Sequence, residues 1–338
     1  MFYASPDQFR TLGCEMIDAR RASGRRRRST QRETRRFKAF FGVKPERASE
    51  AWSLLIGYAL LPPKAEPKHL LWALLFLKLY ATEEVSASLL GHDADTIRKW
   101  TWLMVEALHD LSKKLVSFTP LYTAILSQHY LTRCFDALVF IQIKWDDRLD
   151  GTPNTVHFMS TDGTDCPIQE PIPFDRRWWT KKFNAAGVRY EVGVALRKSA
   201  IVHINGPYAC GAHPDTKIFA YKLKHKLHLA HERTFTDKGY WGHSDVCTYI
   251  DSNGRVNGRN SPRMRKTVAA IQARHETIFK RMKQFRVLGT KFRHDLKHHK
   301  HCFRAVAALV QLNIKSDEPL FSYTSWLDKR MGNVNSQL

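Results

Sequence analysis

The sequence predicts an α/β domain preceded by an all-α region of helix-turn-helix-like spacing. Three observations carry this. Helical apolar patterning holds from about Thr34 to Lys114. Strand alternation then takes over after about Asp150, clearest at Val188, Tyr190, Val192, Val194 and Leu196. Long helical stretches return from Pro262. The 338 residues suffice for one large and one smaller domain with a sizeable core.

Charge narrows the function classes. A formal net charge of +22 implies a polyanionic partner, nucleic acid first and an anionic membrane surface second. The first residues lack the basic-then-apolar pattern of a signal peptide. The longest apolar run, "HLLWALLFLKLY", is too short to span a bilayer and carries Lys78, so it reads as a buried helix. The six cysteines include no C-x-x-C pair, which favours reduced intracellular thiols over a disulfide framework or zinc ribbon.

Residues 1–33 read as a basic, partly disordered arm. Arg20 to Lys38 holds ten Lys or Arg against one Glu, which suits a nuclear-targeting or DNA-contacting segment, or a tail that only aids solubility. Residues 34–125 read as a helical DNA-binding region. "ERASEAWSLLIGYALL" is one helix, and Pro67 starts the next. "EEVSASLLGHDADTIRKWTWLMVEALHDL" divides into a short helix, a turn with Gly91 just past its end, and a long helix capped by Asp93 or Asp95. The second helix would offer Thr96, Arg98 and Lys99 to DNA, although a structural helical hairpin has the same pattern.

Residues 126–325 read as the α/β domain and 326–338 as a tail. "TVHFMST" is a buried strand with Asp162 at its carboxyl end. "VRYEVGVAL" and "IVHING" form a hairpin through "RKSA". "DTKIFAYKLKHKLHLA" is an amphipathic helix, and "RTFTD" a short strand ending on Asp237. A Gly- and Asn-rich loop follows, Ser252 to Pro262, then a long helix to about Phe285. "CFRAVAALVQLNI" closes the domain.

Three acids stand in distinct settings: Asp162 and Asp237 at strand ends, and Glu276 in the long helix. In open α/β sheets, ligands sit outside the carboxyl ends of strands. Three carboxylates meeting there would repel without a cation. Magnesium, a hard cation with oxygen ligands, removes that cost, and two ions about 3.5–4 Å apart support phosphodiester cleavage without a protein nucleophile. Val268, Ile271, His275, Ile278, Met282 and Phe285 form the apolar stripe of the long helix, leaving Glu276 off it. Lys283 lies on the side of Glu276, about 10 Å up the axis. Arg263 to Arg304 carries thirteen Lys or Arg and only two acids, Glu276 and Asp295. Arg274 and Lys280 join Lys283 as candidate DNA contacts, though Glu276 could instead simply pair with Lys280 on the surface.

Rival readings compete for these residues. "STDGT" resembles the D-x-D-G-T of haloacid-dehalogenase phosphatases, but Ser160 occupies the nucleophile position and cannot form an aspartyl phosphate. The histidines at 225, 228 and 231, and at 294, 298, 299 and 301, lack strong zinc spacing and read as solvated or phosphate-facing. Asp165, Glu191, Asp215 and Asp245 are alternative acids, Asp165 either bracing Asp162 or stabilising a turn.

"STDGTDCPIQEPIPF", "GVRYEVGVALRKSAIVHINGPYACGAHPDTKIF", "TDKGYWG" and "RHETIFKRMKQF…FRH" resemble, in order, the catalytic motifs of PIF/Harbinger-type DDE transposases of fungal, oomycete and algal lineages. The likeness covers Val156 to Phe321, and "SLLGHDADTIRKWTW" looks like the helix-turn-helix upstream of them. The resemblance implies an RNase H-like fold, a mixed sheet flanked by helices, with Asp162, Asp237 and Glu276 as catalytic and metal-binding triad. It implies Mg2+ or Mn2+ as cofactor, two ions, and hydrolysis at transposon ends followed by strand transfer. It also implies double-stranded DNA as partner, with a Myb-like accessory protein and a homo-oligomer as further options, a nuclear location and no membrane. Gln272 stands where related bacterial enzymes have an Arg, whereas Lys283 keeps its place. The other function in view is a domesticated, non-cleaving DNA-binding or chromatin protein built on the same scaffold.

Overall fold

The computed structural model describes residues 3–18, 29–115, 157–196, 199–229, 232–260 and 262–321. The run Arg20 to Arg28, residues 116–156 with the boundary expected at 125/126, the 326–338 tail and His231 lie outside them. The chain is mixed α/β, with an N-terminal helical region and a mixed sheet flanked by helices. It divides into two compact units, Met1–Lys113 with Arg281–Asn313, and Lys114–Lys280 with Ile314–Leu338.

The first unit is helical. Its elements are α1 (Pro6–Asp18), α2 (Thr30–Phe41), α3 (Pro45–Gly57), α4 (Pro67–Leu79), α5 (Glu83–Leu90) and α6 (Ala94–Leu115). Helix α1 falls where the sequence suggested only an arm. It forms because Phe9 is wholly buried, edge-on to Trp52, and the Ser49 hydroxyl donates to the Ala4 carbonyl. The short helix, turn and long helix are as expected: Gly91 ends α5 in the left-handed region, and an Asp93 carboxylate oxygen accepts from the Thr96 N–H at 2.8 Å.

The end of the chain groups differently from the sequence reading. Most of the last helix, α11 (Leu296–Ser316), and the short α10 (Arg286–Gly289) belong to this helical unit rather than to the sheet. The reason is aromatic packing. Phe292 stacks on Tyr80 with ring centroids 5.7 Å apart, and the Arg293 guanidinium lies 4.4 Å from the Tyr80 ring. His294 and His298 pack against Trp102, His301 against His109, and buried His299 against Phe292. These histidines are therefore packing groups, not the solvated row expected, and burial pushes His299 down to about 3.

In the second unit, β1 (His157–Pro167) is the central strand. It pairs antiparallel with β3 (Ala185–Ala195), which pairs antiparallel with β4 (Ile201–Ala209) and, at its start, with β2 (Trp179–Thr180). On its other side β1 runs parallel to β5 (Arg233–Phe235), which is parallel to β6 (Cys247–Thr248). The expected inward row of β3, from Val188 to Leu196, is buried throughout.

Helices cover both faces. One carries α7 (Asp215–Tyr221) and α8 (Leu223–Leu229), whose Phe219, Leu223 and Leu227 pack with Met159 and Val202. The sequence had these as one helix; the chain breaks at Lys222, whose φ of −144° is not helical. The other carries α9 (Pro262–Lys283), whose Val268 and Ile271 pack with Phe235 and Leu196. All six residues of its predicted apolar stripe are buried.

Replacing Phe292 by Ala should cost about 3–5 kcal/mol, the usual loss for a buried phenyl ring. A thermal melt followed by helical circular dichroism measures it; an unshifted midpoint would show that the Tyr80–Phe292 stack does not hold the last helix.

Candidate active site

Asp162 lies within β1, not at its end as the sequence suggested. What ends there is the neighbour: parallel pairing with β5 stops at Ser160↔Phe235, whereas pairing with β3 continues to Pro167. Past Ser160 no strand among the described residues pairs with that edge of β1. Asp237 lies just beyond the end of β5. One of its carboxylate oxygens accepts from the Gly239 N–H at 2.8 Å, which caps a 3-10 turn over Lys238–Tyr240. The Asp162 carboxylate accepts from its neighbour, the Gly163 N–H, at 2.7 Å.

A third acid, Asp215, stands beside them. Asp215 begins α7 and reaches over the strand from that side. A Cβ built on Gly163 would fall 2.2 Å from an Asp215 oxygen, and one on Gly239 would fall 3.3 Å from the other oxygen and 2.9 Å from Asp237. Burial, then the charges of Asp237 and Asp215, push Asp162 up to about 7. Burial raises Asp215 as well.

Asp165 proves to be neither a turn residue nor a bystander. It is fully buried on β1, opposite Arg189 on β3, which grips both its oxygens at 2.7 and 3.0 Å; the Thr180 hydroxyl donates at 2.8 Å. Burial alone would raise its pKa, but the guanidinium more than offsets this and holds the carboxyl below its ordinary value. Arg189 also reaches Asp215 at 3.5 Å. Asp165 thus fixes an arginine that in turn holds Asp215.

Behind this row, Glu191 pairs across the sheet with Gly163 and is fully enclosed, 3.2 Å from the His203 ring. Burial and the charge of Asp215 push it up to about 8. The buried Tyr240 hydroxyl has no protein partner among the described residues and lies in the field of Glu191, Asp215, Asp162 and Asp237.

Glu276 is exposed on α9. Gln272, one turn earlier on that helix face, donates its amide N–H to the Thr236 carbonyl at 3.2 Å, beside Asp237. His275 places the next turn over the sheet through a 2.8 Å bond to Ser160, and both partners are buried, out of reach of a substrate.

The candidate DNA contacts fare unevenly. Lys280 is exposed and Lys283 half-buried. Lys99 is exposed, and Arg98 pairs with Glu83 at 2.8 Å and with Asp95. Arg274 is corrected: it is 1 % exposed, donates to the Leu196 carbonyl and faces the Phe321 ring, so it braces the fold instead of meeting DNA. Asp245 pairs with Lys224 at 3.1 Å on the surface.

Sequence reasoning named Asp215 only as an alternative and missed Arg189, Lys182 and Tyr240. The signal for Arg189 was its register opposite Asp165, which strand pairing alone reveals.

Does the site suit a metal? Among the described residues no three His, Cys, Asp or Glu side chains stand in metal-holding geometry as they are. The donors nevertheless fit a hard cation: all are carboxylate oxygens, and besides burial the charges of Asp237 and Asp215 raise the Asp162 pKa, a repulsion that a divalent ion relieves.

No protein-family model, curated protein or solved structure matches the chain.

Two outcomes follow. In the folded chain Asp162 keeps its proton to about pH 7, whereas the unfolded chain releases it near 3.8, so metal-free stability falls as pH rises between those values. Asp162→Asn should flatten that slope and gain about 2 kcal/mol at pH 8, after discounting for partial exposure; melts in chelator across pH test it. Asp165→Ala strands a buried guanidinium and should cost about 3–5 kcal/mol. A urea midpoint near that of the unmodified chain would remove Asp165 from its supporting role.

Proposed function

We propose that the chain is a DDE-type, divalent-metal-dependent DNA endonuclease related to PIF/Harbinger-type transposases, acting on double-stranded DNA in the nucleus. One observation carries the reading: Asp162 and Asp237 stand near each other where the described parallel neighbour of the central strand ends, and burial, then the Asp237 charge, raises the Asp162 pKa to about 7. An RNase H-like identity for the sheet draws support from its strand order. A central strand bearing the first acid runs antiparallel to a hairpin on one side and parallel to two strands on the other, with helices on both faces.

In this reading Asp162 and Asp237 hold Mg2+ or Mn2+, with two ions as the full complement. Asp215 stands beside them, and Glu276 completes the triad from α9, one turn after Gln272, whose amide bonds the Thr236 carbonyl beside Asp237. The bound ions supply Lewis-acid charge and an activated water for phosphodiester hydrolysis. The chain's own residues do the rest. The Gly163 and Gly239 N–H groups orient the two carboxylates. The Asp165–Arg189 pair keeps Asp215 at the row. Lys182 adds positive charge near Asp162. The helix-turn-helix-like pair α5–α6, with Lys99 exposed, and the basic surface carrying Lys280 and Lys283 would hold the duplex, consistent with the net charge of +22.

The test is nicking of supercoiled DNA by the full chain in Mg2+ or Mn2+. Cleavage should appear with metal, stop with chelator, and fall by about two orders of magnitude or more in Asp237→Ala. DNA binding without cleavage under any of these conditions would replace this reading with that of a domesticated, non-cleaving binder.

A further inference from the structure

Two adjacent antiparallel strands need a turn of only a few residues, yet β1 and β3 are joined by residues 168–184. The excursion carries a 3-10 turn at Arg176–Trp178 and the strand β2. It is firmly seated. A Cβ on Gly211 would fall 2.7 Å from the Arg176 carbonyl oxygen and 2.9 Å from that of Trp179, so the turn packs directly on bare backbone. The Ala212 N–H donates to the Arg177 carbonyl at 2.9 Å.

This segment walls an open cleft of about 640 Å³, lined by Arg176, Arg177, Trp179, Lys181, Lys182 and Arg189 among others. The cations are not equally committed. Asp175 neutralises Arg177 at 2.8 Å, and Asp165 neutralises Arg189. Arg176 and Lys181 are exposed and have no ion pair among the described residues; Lys182, 54 % exposed, comes only within 3.9 Å of Asp165. Three positive groups thus remain for an anion.

One aromatic ring, Trp179, lines the cleft, and Phe174, 60 % exposed and outside the lining, meets Trp179 edge-on at 6.2 Å. Cations for phosphate together with ring faces for bases are the combination that binds unpaired nucleotides, and the volume lies within the ordinary range for ligand sites, about 300–1,000 Å³. Arg189 is shared with the acidic row, since it also contacts Asp215.

We propose that this cleft binds an unpaired nucleotide of a DNA strand, its phosphates on Arg176, Lys181 and Lys182 and its base against Trp179 and Phe174. This rests on the nuclease reading for its place beside the acids, but its binding is separable from cleavage.

The experiment is fluorescence anisotropy of the full chain, in chelator, with a labelled single-stranded oligothymidylate and with a duplex of the same length. Arg176→Glu with Lys181→Glu should weaken single-strand binding at least about tenfold and reduce the salt slope by about 1.4, two phosphate contacts of about 0.7 each. Phe174→Ala should weaken single-strand binding about 5- to 100-fold, the range for one lost base stack, and leave duplex binding unchanged. Lys182→Gln changes a single exposed amine and should act in the same direction, which keeps the test valid if the double reversal unfolds. Single-strand affinity unmoved by these changes, or equal losses on duplex and single strand in Phe174→Ala, would overturn the proposal. If the binding losses appear but the chain never nicks DNA, the nuclease reading falls and the cleft stands. If nicking depends on Asp237 but binding ignores the cleft variants, the cleft falls and the nuclease reading stands.

Discussion

The architecture of the sheet unit turns on one mismatch of length. The central strand runs from His157 to Pro167, but its parallel neighbour ends at Phe235. Everything of chemical interest sits where that neighbour stops. That edge is where the backbone of Asp237 turns back over its own cap and where Asp162 gains room for an acidic neighbour.

Around the gap, electrostatics are balanced by an arginine on one side only. The Asp165–Arg189 pair is buried, and pairs of that kind seldom add net stability over an apolar equivalent. Here the guanidinium has a second partner, Asp215, so its value lies in placement. Arginine's planar fork serves two carboxylates at once, which a lysine ammonium could not do with the same geometry. For a cation among the described residues, Asp162 has only the weaker field of Lys182 to offset its burial and the Asp237 charge, and its proton affinity rises.

Much of this was legible in the residues. The apolar stripe from Val268 to Phe285, the alternation from Val188 to Leu196, and the Gly91 and Asp93 signals each follow from local periodicity or cap chemistry. What was not legible depended on long-range packing. Helix α1 exists because Phe9 finds Trp52, and α11 sits with the N-terminal helices because Phe292 finds Tyr80. Neither partner is nearby in sequence. Arg274 was misjudged for a related reason: a cation in a basic helix looks like a surface contact until the Leu196 carbonyl accepts its N–H. Within the site, Asp237 was expected at a strand end and lies just past one, Asp162 was expected at a strand end and lies inside a strand, and Asp215 was named only as an alternative because its position depends on a crossing between elements.

Gly163 gives the "DGTD" motif a different meaning. Read along the chain, its glycine looks like a hinge after an acid. In the fold it lies in continuous strand, and the space a side chain would fill is taken by the Asp215 carboxylate. The residue serves as a vacant socket for an acid supplied from elsewhere in the chain. Any larger residue there would evict its guest without touching a single acid. The integrity of this cluster therefore has to be judged at a position with no functional group of its own.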